Sequence, residues 1–120
     1  MDLLSRVLQF VRQHDLMRAE TRVVAAVSGG SDSVALAHLL CALADAGELC
    51  LAGVVHFNHQ LRPSAGDDEA FASRVAASLD RPFLAGRDDV RARAARHRQS
   101  IEVAARAARY EFFDLARRHF

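Results

Sequence analysis

Val23 to Val27 is an unbroken apolar run of strand length, and it stops at the polar sequence Ser28-Gly29-Gly30-Ser31-Asp32-Ser33. An Ala- and Leu-rich segment of helical length, Val34 to Ala46, follows at once. A strand with no polar face must be covered on both sides, the condition of a parallel strand sandwiched by helices. The rest of the chain repeats this alternation. Leu3, Leu4, Val7, Leu8 and Val11 share one helical stripe, with Asp2 as N-cap and an expected end near His14. Gly47 is expected to stop the second helix. Leu49 to Phe57 reads as a second strand, residues 58–66 as a loop, and Asp67 to Leu79 as a helix with acids in its first turn. Pro82 to Gly86 reads as a third strand, Asp89 to Arg98 as a helix, and Ser100 as the cap of a long last helix. The apolar face of that helix is predicted to hold Ile101, Ala104, Ala105, Ala108, Phe112 and Leu115. The order α-β-α-β-α-β-α-α predicts an α/β fold, a doubly wound parallel sheet with helices on both faces. The Val23–Val27 strand is expected to be central in the full doubly wound order, with one edge left unpaired in these 120 residues.

Composition narrows the function classes. With 51% hydrophobic and 26% charged residues the chain is a folding sequence, sized for one domain or a piece of one. Its net charge of +1 gives no bulk attraction to nucleic acid. The charge is uneven, however: residues 1–60 carry six acids and four bases, residues 61–120 nine acids and twelve bases. All sixteen bases are Arg. A Walker-type phosphate loop, which needs its Lys, is therefore excluded. Cys41 and Cys50 are the only cysteines and form no Cys-x-x-Cys pair, so they read as small apolar residues of a reducing compartment. No apolar stretch reaches about 18 residues, and the first segment is amphipathic rather than signal-like; the expectation is no membrane span and a cytoplasmic protein.

The Ser28–Ser33 sequence carries the chemistry. Parallel α/β sheets bind ligands beyond the carboxyl ends of their strands. Gly29 and Gly30 are expected to adopt positive φ and let the backbone approach an anion. Backbone N–H groups of Gly29, Gly30, Ser31 and Asp32 can then form a nest at the positive end of the next helix, with the hydroxyls of Ser28, Ser31 and Ser33 as further donors. Asp32 suits such a site only with a cation between it and phosphate, so it is assigned to Mg²⁺. A plain Gly/Ser turn is the competing explanation, but five fixed positions at roughly 7% each recur by chance on the order of once in a million starts.

Ser-Gly-Gly-x-Asp-Ser resembles the PP-loop of the N-type ATP pyrophosphatases, enzymes that split ATP into AMP and pyrophosphate. Two later motifs narrow the resemblance. His56-Phe57-Asn58-His59-Gln60-Leu61-Arg62 is similar to the His-x-Asn-His-x-Leu-Arg motif of the tRNA(Ile)-lysidine synthetase family. Glu102, Arg106, Arg109 and Tyr110 match that family's Glu-x-x-x-Arg-x-x-Arg-Tyr helix. Physically, imidazoles at the sheet edge can bind a nucleotide or move a proton near neutral pH. Arginines three apart on a helix can clamp a triphosphate or the charge on phosphorus.

The resemblance implies ATP and Mg²⁺ as cofactors and free L-lysine and the minor tRNA(Ile) with anticodon CAU as substrates. The product would be lysidine, formed by a carbon–nitrogen ligase that adenylates the wobble cytidine. It implies Ser28, Gly29, Gly30, Ser31, Asp32, Ser33, His56 and His59 for ATP, Asp32 for Mg²⁺, and Asp32, Arg106 and Arg109 in catalysis. Residues 1–120 would be the N-terminal part of a PP-loop domain. The family's later Gly-His-x-x-Asp-Asp strand and its tRNA-gripping region are not in this sequence, so the 120 residues alone are expected to bind ATP weakly and to make no lysidine. The sequence leaves the oligomeric state open. A PP-loop thiolase, a universal-stress-type nucleotide-binding module and an inactive ATP-binding fragment are the other readings; Cys41 and Cys50, placed mid-helix and at a strand start, argue against the thiolase. Arg91 to Arg98, with four arginines and no acid, is a candidate for tRNA phosphates against the plainer role of a solvated helix face.

Overall fold

A computed structural model describes residues 2–120. The elements are α1 (Leu3–Gln13), β1 (Arg22–Ala26), α2 (Ser31–Asp45), β2 (Cys50–Asn58), α3 (Ala65–Ser78), β3 (Phe83–Arg87), α4 (Val90–His97) and α5 (Ile101–His119). The strands form one parallel sheet in the order β1-β2-β3, with Ala25 opposite Val54 and Val54 opposite Phe83. The predicted α/β architecture is therefore present. Among the described residues β2 lies between β1 and β3, and β1 is paired on one edge only, the unpaired edge expected of the Val23–Val27 strand in these 120 residues. β2 is the longer strand and its residues 51–56 are all buried, as a strand covered on both faces requires.

α2 and α3 are successive crossovers in one direction, which puts both on the same face of the sheet. Their Ala37, Leu40, Leu43, Ala72, Val75 and Ala76 close over Ala25, Val27 and Val54. α1 packs on this layer through Leu4, Val7 and Leu8, and its N-cap Asp2 accepts from the Ser5 N–H at 2.7 Å. α4 and α5 form a second cluster around Val90, Ala94, Ala104 and Ala108, against which Phe57 of β2 packs. Ser100 caps α5 by accepting from the Val103 N–H at 3.1 Å. Ile101 and Leu115, predicted for the apolar face of α5, are exposed by 39% and 59%. The helix is seated instead on the small residues Ala104, Ala108 and Ala116, spaced at whole multiples of four, with Phe112 in the same row. Phe112 lies at 5.9 Å from the Phe57 ring and rests on Gly86 of β3, where an added Cβ would come within 2.6 Å of its Cε1.

Candidate active site

α2 starts at Ser31, three residues earlier than expected. Gly30 is its N-cap with φ −88° and ψ 150°, so Ser31, Asp32 and Ser33 make up its first turn. Among the described residues Gly47 is the one glycine with positive φ, which corrects the expectation for Gly29 and Gly30. Gly29 is needed for space instead: a Cβ there would stand 2.8 Å from Cγ of Asp68.

The loop is tied by its own hydroxyls. Ser33 Oγ donates to the Gly30 carbonyl at 2.9 Å and accepts the Ser28 N–H at 3.0 Å. Its single proton is thereby used, so Ser28 Oγ donates to Ser33 Oγ at 3.1 Å while accepting the Gly30 N–H at 3.2 Å. As placed, the Ser28 and Ser33 hydroxyls shape the nest rather than supply donors to a ligand, a correction to the expected role. The N–H groups of Gly29, Ser31, Asp32 and Ser33 have no protein partner among the described residues. Four such donors at a helix start are an anion site in waiting.

A cleft of about 310 Å³ opens beside this loop. Ser28, Gly29 and Ser33 line one wall, residues 55–59 of the β2 end another, and Arg62, Asp68, Arg109 and Phe113 the rest. The structure thus gathers Ser28, Gly29, Ser33, His56, His59 and Arg109 of the expected site. Gly30, Ser31, Asp32 and Arg106 do not line the cleft. Asp32 is exposed in the first turn of α2, where the helix dipole favours an acid. Arg106 is held over the Tyr110 ring, 5.6 Å from its centroid. Three residues of helix turn a side chain by about 300°, so the two arginines diverge by about 60° and only one of them meets the cleft.

His56 is 6% exposed, and its Nδ1 lies 2.6 Å from the Val27 carbonyl, the last backbone acceptor before the loop. A carbonyl only accepts, so this Nδ1 carries the proton. His59 is opposite: its Nδ1 accepts the Leu61 N–H at 3.0 Å and carries none. Partial burial first, then the charge of Arg62 and more weakly that of Arg109, push the His59 imidazole below its usual range, with Asp68 opposing. His59 is therefore a neutral ring with its proton on Nε2.

The loop that carries His59 and Arg62 is anchored by Asn58, buried at the end of β2. Its Oδ1 accepts from the Gln60 N–H at 2.9 Å, an Asx turn that supports the left-handed φ of 56° at Gln60. Its Nδ2 donates to Glu69 at 3.4 Å, and Glu69 is paired with Arg87, the register partner of Asn58 on β3. Arg87 holds the Glu69 carboxyl below the usual range, ahead of the opposing effect of burial. Arg62 in turn pairs with Asp68 at 3.2 Å. Asn58, Arg62, Asp68 and Phe113 were absent from the expected site. Arg62 lay within the quoted motif, and Asp68 follows it on the first turn of a helix that starts at the carboxyl edge of the sheet; both facts were available signals.

The model of the PP-loop domain family matches residues 2–119. The chain belongs to that family. Among curated proteins, a tRNA(Ile)-lysidine synthase of Geobacter sulfurreducens is 46% identical over 93% of this chain and 24% of its own length. One from Petrotoga mobilis is 32% identical over 93% of the chain and 36% of its own length. A "Bifunctional protein TilS/HprT" of Listeria innocua is 35% identical over 94% of the chain and 17% of its own length. The chain thus spans between 17% and 36% of the length of these relatives. Among the described residues no helix is long and apolar enough to cross a membrane.

Proposed function

We propose that this PP-loop chain binds ATP in the cleft and serves a tRNA(Ile)-lysidine synthetase in which the wobble cytidine of the CAU-anticodon tRNA(Ile) is adenylated and then joined to L-lysine. The observation that carries it is the meeting of Gly29 and Ser33, whose N–H groups are free, with His59 and Arg109 on one cleft. The cytidine C2 oxygen attacks the α-phosphorus, forming a P–O bond as pyrophosphate leaves. The lysine amine then attacks C2, the bond from C2 to the oxygen of AMP breaks, and the amine proton is released. Positioning and charge stabilisation carry most of phosphoryl transfer, and no protein nucleophile is required. The N–H nest and Arg109 supply that stabilisation, and the Asn58–Glu69–Arg87 anchor fixes the loop bearing His59. The free thiols Cys41 and Cys50 do not line the cleft, so neither is placed to act as a thiolase cysteine.

The donor set fits a Mg²⁺ ion brought by ATP. No group of three His, Cys, Asp or Glu able to hold a metal occurs among the described residues, and Mg²⁺ bound to nucleotide usually takes one or two carboxylates. Asp32, on the first turn of α2, and Asp68, in the cleft wall, are the carboxylates within the loop's surroundings. The ion would screen charge between the phosphate oxygens. Asp32→Asn is expected to weaken ATP binding in Mg²⁺ and to leave Mg²⁺-free binding unchanged. Titrations of ATP with and without Mg²⁺ check it, and an equal Mg²⁺ dependence in both proteins removes the metal role of Asp32.

Arg91, Arg96 and Arg98 are exposed on α4 and its C-cap and are the candidates for tRNA phosphates. Arg93 is withdrawn from that group: it bridges Asp88 at 3.2 Å and Glu111 at 2.9 Å and is largely buried. Replacing two of the three exposed arginines is expected to lower the salt slope of tRNA binding by about one to two units. An unaltered slope would exclude this surface. The function as a whole is tested by incubating the protein with ATP, Mg²⁺, labelled lysine and the tRNA. The 120 residues alone are expected to give no lysine transfer. Within an enzyme of its relatives' length, lysine transfer with matched pyrophosphate release is expected, and pyrophosphate release without lysine transfer there would point to another PP-loop reaction.

A further inference from the structure

His56 and His59 border one cleft with their protons fixed on opposite ring atoms, and in each case the backbone does the fixing. The Val27 carbonyl fixes His56 Nδ1 as a donor, so in the neutral ring the lone pair is on Nε2. The Leu61 N–H occupies the lone pair of His59 Nδ1 and leaves an N–H on Nε2. Neither partner depends on a ligand, so with both rings neutral the cleft presents one acceptor and one donor before anything binds.

We propose that the two rings divide the nucleotide between them, His56 accepting at Nε2 from an O–H or N–H of the nucleoside half and His59 donating from Nε2 to a phosphate oxygen. This assignment rests on the nucleotide reading of the cleft. A phosphate oxygen at neutral pH offers lone pairs and no proton, so it cannot pair with the lone pair of His56 Nε2. A ribose hydroxyl or the exocyclic amine of the base can. His59 sits among positive groups, Arg62 and Arg109, with the Asp68 carboxylate already taken by Arg62. That is the anion side of the cleft. Two rings spaced three residues apart would thus read polarity rather than charge: one end of the ligand must donate and the other must accept.

The test separates the two halves. An asparagine amide places its polar atoms near the Nδ1 position of histidine and has nothing at Nε2. His56→Asn can still donate to the Val27 carbonyl, and His59→Asn can still accept the Leu61 N–H, so both variants keep the backbone ties. His56→Asn is expected to lower ATP affinity by roughly 10-fold and to leave inorganic pyrophosphate binding unchanged. His59→Asn is expected to lower both by a similar factor. His59→Gln, which carries an amide N–H out to the Nε2 position, is expected to recover most of that loss. Ring nitrogen NMR at neutral pH gives a second readout: a Nδ1–H tautomer for His56 and a Nε2–H tautomer for His59 are expected. A proton on Nε2 of His56, or parallel losses of ATP and pyrophosphate binding in both Asn variants, overturns the assignment while leaving the nucleotide site standing. A wild-type protein that binds neither ATP nor pyrophosphate overturns the nucleotide reading and this assignment with it.

Discussion

Gly29→Val is expected to lower ATP affinity by on the order of 100-fold or more. The reason is contact rather than backbone strain, since Gly29 is not in the left-handed region. A Cβ at this position meets the Asp68 side chain, which is paired with Arg62 and rooted in the first turn of α3. Either the loop tilts and its N–H groups lose their common focus, or Asp68 is driven aside and frees Arg62. The first outcome removes several charge-assisted hydrogen bonds of about 1.5–3 kcal/mol each. Gly30→Ala is the matched control, because a Cβ there has Ser28 Oγ as nearest neighbour at 3.5 Å, ordinary contact. Isothermal titration of both variants, with thermal melts to establish that each is folded, checks the prediction. Equal affinities for the two would mean that Asp68 yields without consequence.

The second large effect distinguishes two arginines that look alike in sequence. Arg109→Ala is expected to cost roughly 10- to 100-fold in ATP affinity, the value of one charged hydrogen-bond partner. Arg106→Ala is expected to change it by less than about twofold, because its guanidinium lies on Tyr110 and exposed stacking of this kind is worth about 0.5–1 kcal/mol to the helix, not to a ligand. Equal losses in the two variants would show that Arg106 leaves Tyr110 to join the phosphates.

These two cases show what could be read ahead of the structure. The strands were legible because Val23–Val27 and Leu49–Phe57 are apolar on both faces and end at Gly, Asn or Ser; their observed bounds, Arg22–Ala26 and Cys50–Asn58, differ by one residue at each end. The start of α2 was missed because Gly30 caps it with extended backbone alone and its first turn, Ser31-Asp32-Ser33, has no apolar residue to set a period. The wider site was legible as a set of motifs, and its geometry was not. Spacing placed Arg106 and Arg109 on neighbouring positions but could not say which of them faces β2. Asp68 was hidden within three consecutive acids, and only the approach of α3 to Gly29 singles it out. The histidine tautomers depend on Val27 and on Leu61, partners that no sequence period indicates.

Phe112 and Gly86 have a consequence for how this protein can vary. The ring occupies the place where a side chain of β3 would stand, and Phe112 lies one helical turn beyond Arg109 on the same helix. The pair acts as a spacer that fixes the height of α5 above the sheet, and with it the reach of the guanidinium into the cleft. Substitution at either position alone shifts that height: a larger residue at 86 lifts the helix, and a smaller one at 112 lets it sink. Viable changes must come in compensating couples, large at one position and small at the other, so among functional relatives the two positions should drift together although neither touches the nucleotide.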